Sequence, residues 1–139
     1  MKKSAFLFLL SAALFSCHHD VTQEDISAIN GYWEISQTVG KDGLKKDFKI
    51  NETIDYFQVR NNKGFRKKVM PQFDGRYIIN DQKEDLGVKK DGDDFYICYV
   101  TPYGKWRDRI TEVNAVELVL TDSSGTEFHY KRPVKFSVK

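Results

Sequence analysis

Turn-forming residue pairs divide this chain into short segments of a length that suits β-strands. Successive glycines of these pairs lie 11 to 21 residues apart, which fits one or two strands between turns. The pairs are Asp42-Gly43, Lys63-Gly64, Asp74-Gly75, Asp91-Gly92, Tyr103-Gly104 and Ser124-Gly125. Further breaks are expected near Asn51, Asn80-Asp81 and Asn114. With no 3.6-residue periodicity to indicate a long helix, the pattern predicts an all-β meander, folded as a sandwich or a closed barrel.

Alternation of apolar and polar residues assigns the strand faces. Trp33 and Ile35 share one face, and Phe128, Tyr130 and Arg132 share another. The segment Phe95–Val100 is apolar on both faces, so its outer side needs a cover. Three elements could provide this cover: the tail Pro133–Lys139, a short helix, or a protein partner.

The N-terminus reads as an export signal. Lys2 and Lys3 precede an apolar run from Ala5 to Phe15 that is too short to span a bilayer. The following Leu14-Phe15-Ser16-Cys17 resembles the lipobox of bacterial lipoproteins. The resemblance implies a signal peptide over residues 1–16, cleavage before Cys17 and acylation of that cysteine. We therefore expect a lipid-anchored protein of the outer membrane, facing the periplasm or the cell surface.

Three features near the anchor have alternative interpretations. A Cys17–Cys98 disulfide is conceivable in an oxidising compartment, but it would leave the lipobox unexplained. His18 and His19 lack the fixed geometry of a metal site, so we interpret residues 17–29 as a flexible tether. Cys98 is then expected to be a small buried core residue.

Charge argues against a nucleic-acid partner. The formal charge of +2 comes from Lys2 and Lys3, so without them basic and acidic residues are equal in number. The densest basic run, Arg66-Lys67-Lys68, is interpreted as a solvated strand face in preference to an anion site.

Gly31-x-Trp33, at the start of the first predicted strand, resembles the signature of lipocalins. That family implies an antiparallel up-and-down β-barrel in which the tryptophan plugs the closed end and an arginine from the last strand packs across its ring. Arg132 matches that arginine. The alternative is a core tryptophan and a solvated arginine with no special relation. We predict a lipocalin-like barrel of eight or nine strands over residues 30–139, similar to compact lipoprotein domains of Gram-negative bacteria.

A barrel of this size predicts binding of a small apolar or amphipathic ligand, unless side chains fill it. The candidate interior residues are Ile35, Tyr56, Tyr77, Tyr99, Trp106, Phe128 and Tyr130. The alternative is a non-catalytic accessory lipoprotein or enzyme inhibitor, with a protein partner at Phe95–Val100. We expect no catalysis, cofactor or metal, because His129 lies on the predicted outer row with no nucleophile beside it.

Overall fold

The computed structural model describes residues 19–134, a nine-stranded antiparallel sheet preceded by a 3-10 helix. The predicted signal peptide and Cys17 lie outside the described residues. The helix spans Gln23–Ile29. The strands are β1 (Gly31–Val39), β2 (Lys45–Asp47), β3 (Ile54–Arg60), β4 (Lys63–Pro71), β5 (Tyr77–Asp91), β6 (Asp94–Thr101), β7 (Gly104–Val113), β8 (Glu117–Thr121) and β9 (Glu127–Lys131).

The sheet closes on itself, which confirms the predicted all-β barrel. From β3 to β9 each strand pairs with the next, and β1 pairs with both β3 and β9. Closure is made by Ile35 opposite Tyr130 and Thr38 opposite Phe128, with a bulge at Ser36 between them. The short β2 adds to the far end of β1 and is not part of the ring. The barrel therefore has eight strands and one additional strand.

Two sequence breaks were misplaced. The β3–β4 turn is formed by Asn61 and Asn62, both at positive φ, and not by Gly64. Gly64 lies within β4, where an added Cβ would be 1.7 Å from the Gln58 carbonyl oxygen. The second break, expected at Asn80-Asp81, is a register shift inside the continuous strand β5: Lys67 pairs with Lys83, but Val69 pairs with Ile79. Such a shift bends a hairpin without ending it.

The N-terminal helix corrects the expected tether. Ile26 and Ile29 are buried against the barrel core, so residues 23–29 belong to the folded domain. Asn30 fixes the helix to β3, because its side-chain amide donates to the Val59 carbonyl at 3.1 Å and accepts from the Val59 N–H at 2.6 Å. The domain thus begins before residue 30, and the helix covers one end of the barrel.

Candidate functional site

The end of the barrel under the helix is closed by Trp33 and Arg132. The Trp33 side chain has no exposed surface, and its Nε1 donates to the Ile29 carbonyl at 2.7 Å. The Arg132 guanidinium carbon lies 3.6 Å from the centre of the Trp33 ring. A cation over an indole face contributes roughly 0.5–2 kcal/mol. The structure therefore brings these two residues into direct contact at the closed end.

Arg132 also connects the region before and at the start of β1 to the loop between β7 and β8. Its Nη1 donates to the carbonyl oxygens of Asn30 and Tyr32, both at 3.1 Å. Its Nη2 donates to Ala28 at 3.0 Å, and its Nε donates to Ala115 at 3.0 Å. One side chain thus satisfies four backbone carbonyls, three of them between residues 28 and 32 and the fourth at Ala115. Arg132 is thus a structural clamp.

Gly31 is required by this arrangement. Its φ of +106° is a conformation that residues with a side chain rarely adopt. A Cβ at this position would lie 3.0 Å from Nη1 of Arg132. Glycine at position 31 therefore permits both the backbone turn and the close approach of the guanidinium.

Charged side chains occupy the barrel interior nearer the open end. Arg66 and Lys68 point inward with Asp55 and Phe57, because Lys68 pairs with Asp55 and Arg66 pairs with Phe57 across β3 and β4. Arg66 Nη2 lies 2.8 Å from Glu84 Oε2, with the arginine side chain 13% exposed. The expected solvated face is therefore wrong for Arg66. Period-two alternation places Arg66 and Lys68 on the same face of the strand, but nothing local in the sequence revealed that this face points inward.

Asp55 is the most deeply buried of these carboxylates. Its side chain is 4% exposed, and Oδ1 lies 2.5 Å from Lys68 Nζ, in an ion pair without an aligned hydrogen bond. Arg66 Nε is also buried without a hydrogen-bond partner among the described residues. Although burial opposes the charged form of Arg66, Tyr99, Asp55 and Glu84 together raise the pKa of its guanidinium. Arg66 therefore stays charged.

An aromatic pair lies beside this charged layer. The rings of Tyr99 and Trp106 are stacked, with centroids 5.1 Å apart and an interplanar angle of 22°. The Arg66 guanidinium lies 4.5 Å from the Tyr99 ring centre. Tyr99 is 1% exposed, whereas Trp106 is 41% exposed. Trp106 is thus the member of the stack that solvent or a ligand can reach.

Buried phenol and carboxyl groups complete this charged layer. Burial raises the pKa of the Tyr99 phenol well above its ordinary value, and it raises the pKa of the Tyr130 phenol in the same way. Burial also raises the pKa of Asp108, against the attraction of Arg66. The interior at this level is therefore polar and densely packed, without the continuous apolar lining expected of a deep lipid pocket.

The predicted interior residues divide into two groups. Ile35, Tyr99, Phe128 and Tyr130 pack in the barrel core, and Trp106 lies on the same inner row as Tyr99 at the mouth. The remaining two, Tyr56 and Tyr77, lie on the outer face, so their assignment to the interior was wrong.

The outer tyrosines form a cluster with Tyr32. Tyr77 stacks on Tyr32 with centroids 4.2 Å apart, and Tyr56 is tilted against Tyr32 at 4.8 Å. Tyr77 reaches Tyr32 because the register shift within β5 bends the β4–β5 hairpin back over β3 and β1. The sequence alone did not reveal that Tyr56 and Tyr77 point outward, because an inward and an outward tyrosine alternate with polar neighbours in the same way.

The strand Phe95–Val100 requires no separate cover for most of its length. Phe95, Ile97 and Tyr99 point into the core. On the outer side, the Arg107 guanidinium lies 3.9 Å from the centre of the Tyr96 ring, and Arg107 Nη1 is 2.9 Å from Asp91 Oδ2. A side chain of the neighbouring strand thus provides the cover that we had assigned to the tail, a helix or a partner.

Cys98 lies on the outer face of the same strand. It is half-buried and reduced, and its cross-strand neighbours are Gly87 and Arg107. The prediction of a core cysteine was therefore wrong.

Four hollows lined by residues between 19 and 134 open on the outside of the barrel. One of about 290 Å³ lies beneath the β4–β5 hairpin, between Ile50, Ile54, Tyr77 and Pro133. One of about 460 Å³ lies along β6, β7 and the β8–β9 turn. A third of about 400 Å³ follows β8 and β9, and a fourth of about 130 Å³ lies near Asp93 and Asp94. None of these four is a chamber within the barrel.

Two kinds of feature are absent between residues 19 and 134. In that range no three His, Cys, Asp or Glu side chains are grouped as a metal site would require. Nor does any helix there have the length and apolarity needed to cross a bilayer.

Comparison with known proteins gives structural likenesses only. No protein-family model and no curated protein sequence matches the chain. A lipocalin-like protein from Bacteroides uniformis ATCC 8492 superposes with a TM-score of 0.48 at 13% identity, over 76% of this chain and 99% of that chain. Apocrustacyanin C1 gives 0.49 at 11% identity, and apocrustacyanin C2 gives 0.49 at 12% identity; each covers 84% of this chain and 67% of its own.

At these identities and TM-scores, no ligand or activity of those proteins can be assigned to this chain. The fold itself is defined by its own topology and contacts: an up-and-down ring of eight strands, a helix over one end, and an arginine after the last strand stacked on a tryptophan of the first. By these features the described domain is lipocalin-like in fold.

Proposed function

We propose that this protein is a non-catalytic, membrane-anchored binding protein that takes a small amphipathic molecule at the open end of its barrel. The observation that carries the proposal is the stack of Tyr99 and Trp106 at the mouth, with Trp106 41% exposed. An aromatic ring held by stacking on one face offers its exposed surface to a flat apolar group at little entropic cost.

The charges of the mouth favour a ligand without a large net charge. Lys68 is 52% exposed but is already paired with Asp55, and Arg66 is paired with Glu84. Burial raises the pKa of Asp108 and so disfavours its charged form. Polar contacts at the mouth would thus orient a ligand, while Trp106 would supply most of the contact area.

The packed interior supports a shallow mode of binding. Below the mouth, Tyr99 and Leu120 are each 1% exposed and Ile97 is fully buried. A ligand entering deeper would have to displace Arg66 from Glu84 and from the Tyr99 ring, which would leave buried charges unpaired. We therefore expect contact at the rim and not deep enclosure.

Fluorescence of Trp106 provides the test. In a Trp33→Phe background Trp106 is the single tryptophan, so its emission reports binding directly. We expect the flat amphipathic probe 8-anilinonaphthalene-1-sulfonate to quench Trp106 by energy transfer. Followed by the probe's own emission, Trp106→Ala should weaken probe binding by about tenfold, the typical loss when a central aromatic contact is removed.

Tyr103→Ala is the matched control, because Tyr103 is fully exposed on the β6–β7 turn and is not part of the stack. The control should bind the probe as the parent does. Equal binding by the Trp106 variant, or an equal loss in the control, would contradict a site at the mouth.

Membrane anchoring by Cys17 rests on the sequence Leu14-Phe15-Ser16-Cys17. We expect the protein to incorporate labelled palmitate and to sediment with outer-membrane fractions. Cys17→Ser should abolish both, whereas Cys98→Ser, which removes the other cysteine, should affect neither. Incorporation of label into the Cys17→Ser variant would overturn the anchor.

The alternative function is that of an accessory lipoprotein that docks on another protein. It is favoured by the β4–β5 hairpin, where Met70, Phe73, Ile78 and Ile79 are 47%, 85%, 54% and 49% exposed. Exposed apolar groups in one element are typical of a protein contact. A photo-crosslinking residue at position 78 should then capture one defined protein in intact cells, and the same residue at position 103 should not.

A further inference from the structure

We propose that the hollow along β6, β7 and the β8–β9 turn binds an anionic saccharide through its sulfate or phosphate groups. This hollow of about 460 Å³ lies on the outer wall of the barrel, away from the mouth. Its lining contains Lys41, Arg107 and Arg109, and one carboxylate, Asp122. The site goes beyond the proposed function and does not depend on it.

Strand register places the two arginines side by side. Arg107 and Arg109 point outward on β7, because the alternate residues Trp106, Asp108 and Ile110 belong to the inner row. Residues two apart on one strand face lie roughly 6.5–7 Å apart. The two guanidinium groups therefore form a continuous basic edge along the hollow.

The three cations differ in how they are held. Arg107 is oriented by its stack on Tyr96 and by its contact with Asp91. Lys41 packs its aliphatic stem against the β8–β9 turn, where an added Cβ on Gly125 would be 3.4 Å from Cβ, Cγ and Cδ of Lys41. The Arg109 side chain makes no ion pair or hydrogen bond with any residue between 19 and 134, so its five N–H donors face the hollow or solvent.

The single carboxylate of the lining is committed to its own turn. Oδ1 of Asp122 accepts from the Ser124 N–H at 2.9 Å, from the Ser124 hydroxyl at 2.6 Å and from the Thr126 N–H at 3.0 Å. These bonds favour its charged form, and the pKa of Asp122 is lowered despite partial burial. Asp122 is therefore held within the turn, and the three cations of the lining outnumber this one carboxylate.

On its far side Arg109 borders a smaller hollow with Asp20, Asp93 and Asp94. None of these carboxylates forms an ion pair with it. They weaken the positive field around Arg109 but leave its N–H donors available for hydrogen bonds to an oxyanion.

The chemistry of the lining favours a saccharide over a lipid surface. Thr121, Ser123 and Ser124 add hydroxyl groups to the three cations, and no aliphatic side chain lines the hollow. The exposed apolar residues that could enter a bilayer, among them Met70 and Phe73, lie on the β4–β5 hairpin. Hydroxyl and guanidinium groups, with Tyr96 as the one aromatic ring of the lining, match sulfated or phosphorylated sugars.

A sulfated hexasaccharide of the heparin type is the probe, titrated by calorimetry into the full chain in detergent at 150 mM salt. Arg109→Gln and Lys41→Gln should each weaken binding roughly five- to tenfold, the loss of one charge-assisted contact. Lys105→Gln is the matched control, since Lys105 is exposed on the same face of the same strand but does not line the hollow. The control should bind as the parent does.

Three results would overturn the proposal: no binding at this salt concentration, equal weakening in all three variants, or binding to phosphatidylglycerol vesicles with none to the hexasaccharide. Equal weakening would indicate a diffuse field, and the vesicle result would assign the surface to a membrane. The Trp106→Ala variant should keep full hexasaccharide binding, so failure at the mouth and failure at this site are distinguishable.

Discussion

Replacement of Arg132 by lysine isolates the clamp at the closed end. Lysine keeps the positive charge, but its single ammonium cannot reach four carbonyl oxygens in different directions. At most one of the four hydrogen bonds to Ala28, Asn30, Tyr32 and Ala115 should survive. With a net contribution of about 1 kcal/mol for each lost bond, Arg132→Lys should lower the free energy of unfolding by about 3 kcal/mol.

Urea unfolding followed by tryptophan fluorescence measures this loss. For a denaturant slope of about 2 kcal/mol per molar, the midpoint should fall by about 1.5 M. Trp33 reports the transition, because its ring passes from complete burial to water. Arg60→Lys is the control, since Arg60 is an exposed arginine at the end of β3, and it should move the midpoint by less than about 0.3 M. Equal midpoints for the two variants would refute the argument that Arg132 clamps the fold.

Three further substitutions probe the interior and the turn before Trp33. Arg66→Met leaves the half-buried Glu84 unpaired and should cost about 3 kcal/mol, whereas the outward Lys67→Met should cost under about 0.5 kcal/mol; similar urea midpoints would contradict the inward placement. Because burial raises the pKa of Asp108, the folded state holds that proton more tightly than the unfolded chain, and stability declines as pH rises above the ordinary aspartate range. Asp108→Asn removes this decline, so its midpoint should gain on the parent between about pH 4 and pH 7; a constant difference would be the contrary result. Gly31→Ala should cost more than Gly75→Ala, because both have positive φ but only position 31 adds a contact with the clamp; the comparison of the two melting temperatures decides it.

The architecture was predictable from the sequence because its signals are local. Turn residues and alternation mark each hairpin, and hairpins joined in order can close only between first and last strands. The same locality explains the errors. Asn61-Asn62 supplied the positive φ that the nearby Gly64 was expected to supply. Asn80-Asp81 marked the position of the bend within β5, but the choice between ending the strand and bending it depends on packing of the hairpin against other strands, which the local sequence does not show.

The candidate site was predictable only in part. Trp106 was placed on the correct row by alternation, and Tyr99 on the buried side of an apolar strand. Tyr56 was misassigned because an aromatic residue suits either face of a sheet when another element covers the outside. The inward row of Arg66 and Lys68 was missed, since the compensating Asp55 and Glu84 come from the neighbouring strands β3 and β5 and not from β4 itself. Long-range charge pairing leaves no periodic signal.

The clamp also sets an order on folding. Arg132 and the Asn30 carbonyl that it contacts are 102 residues apart along the chain. A polypeptide emerges from the ribosome with its amino end first, so the opening strand and its tryptophan must wait with one edge unpaired until the last strand of the ring has been made. The ring can be fastened only after Arg132 has appeared, and until then its seam stays open.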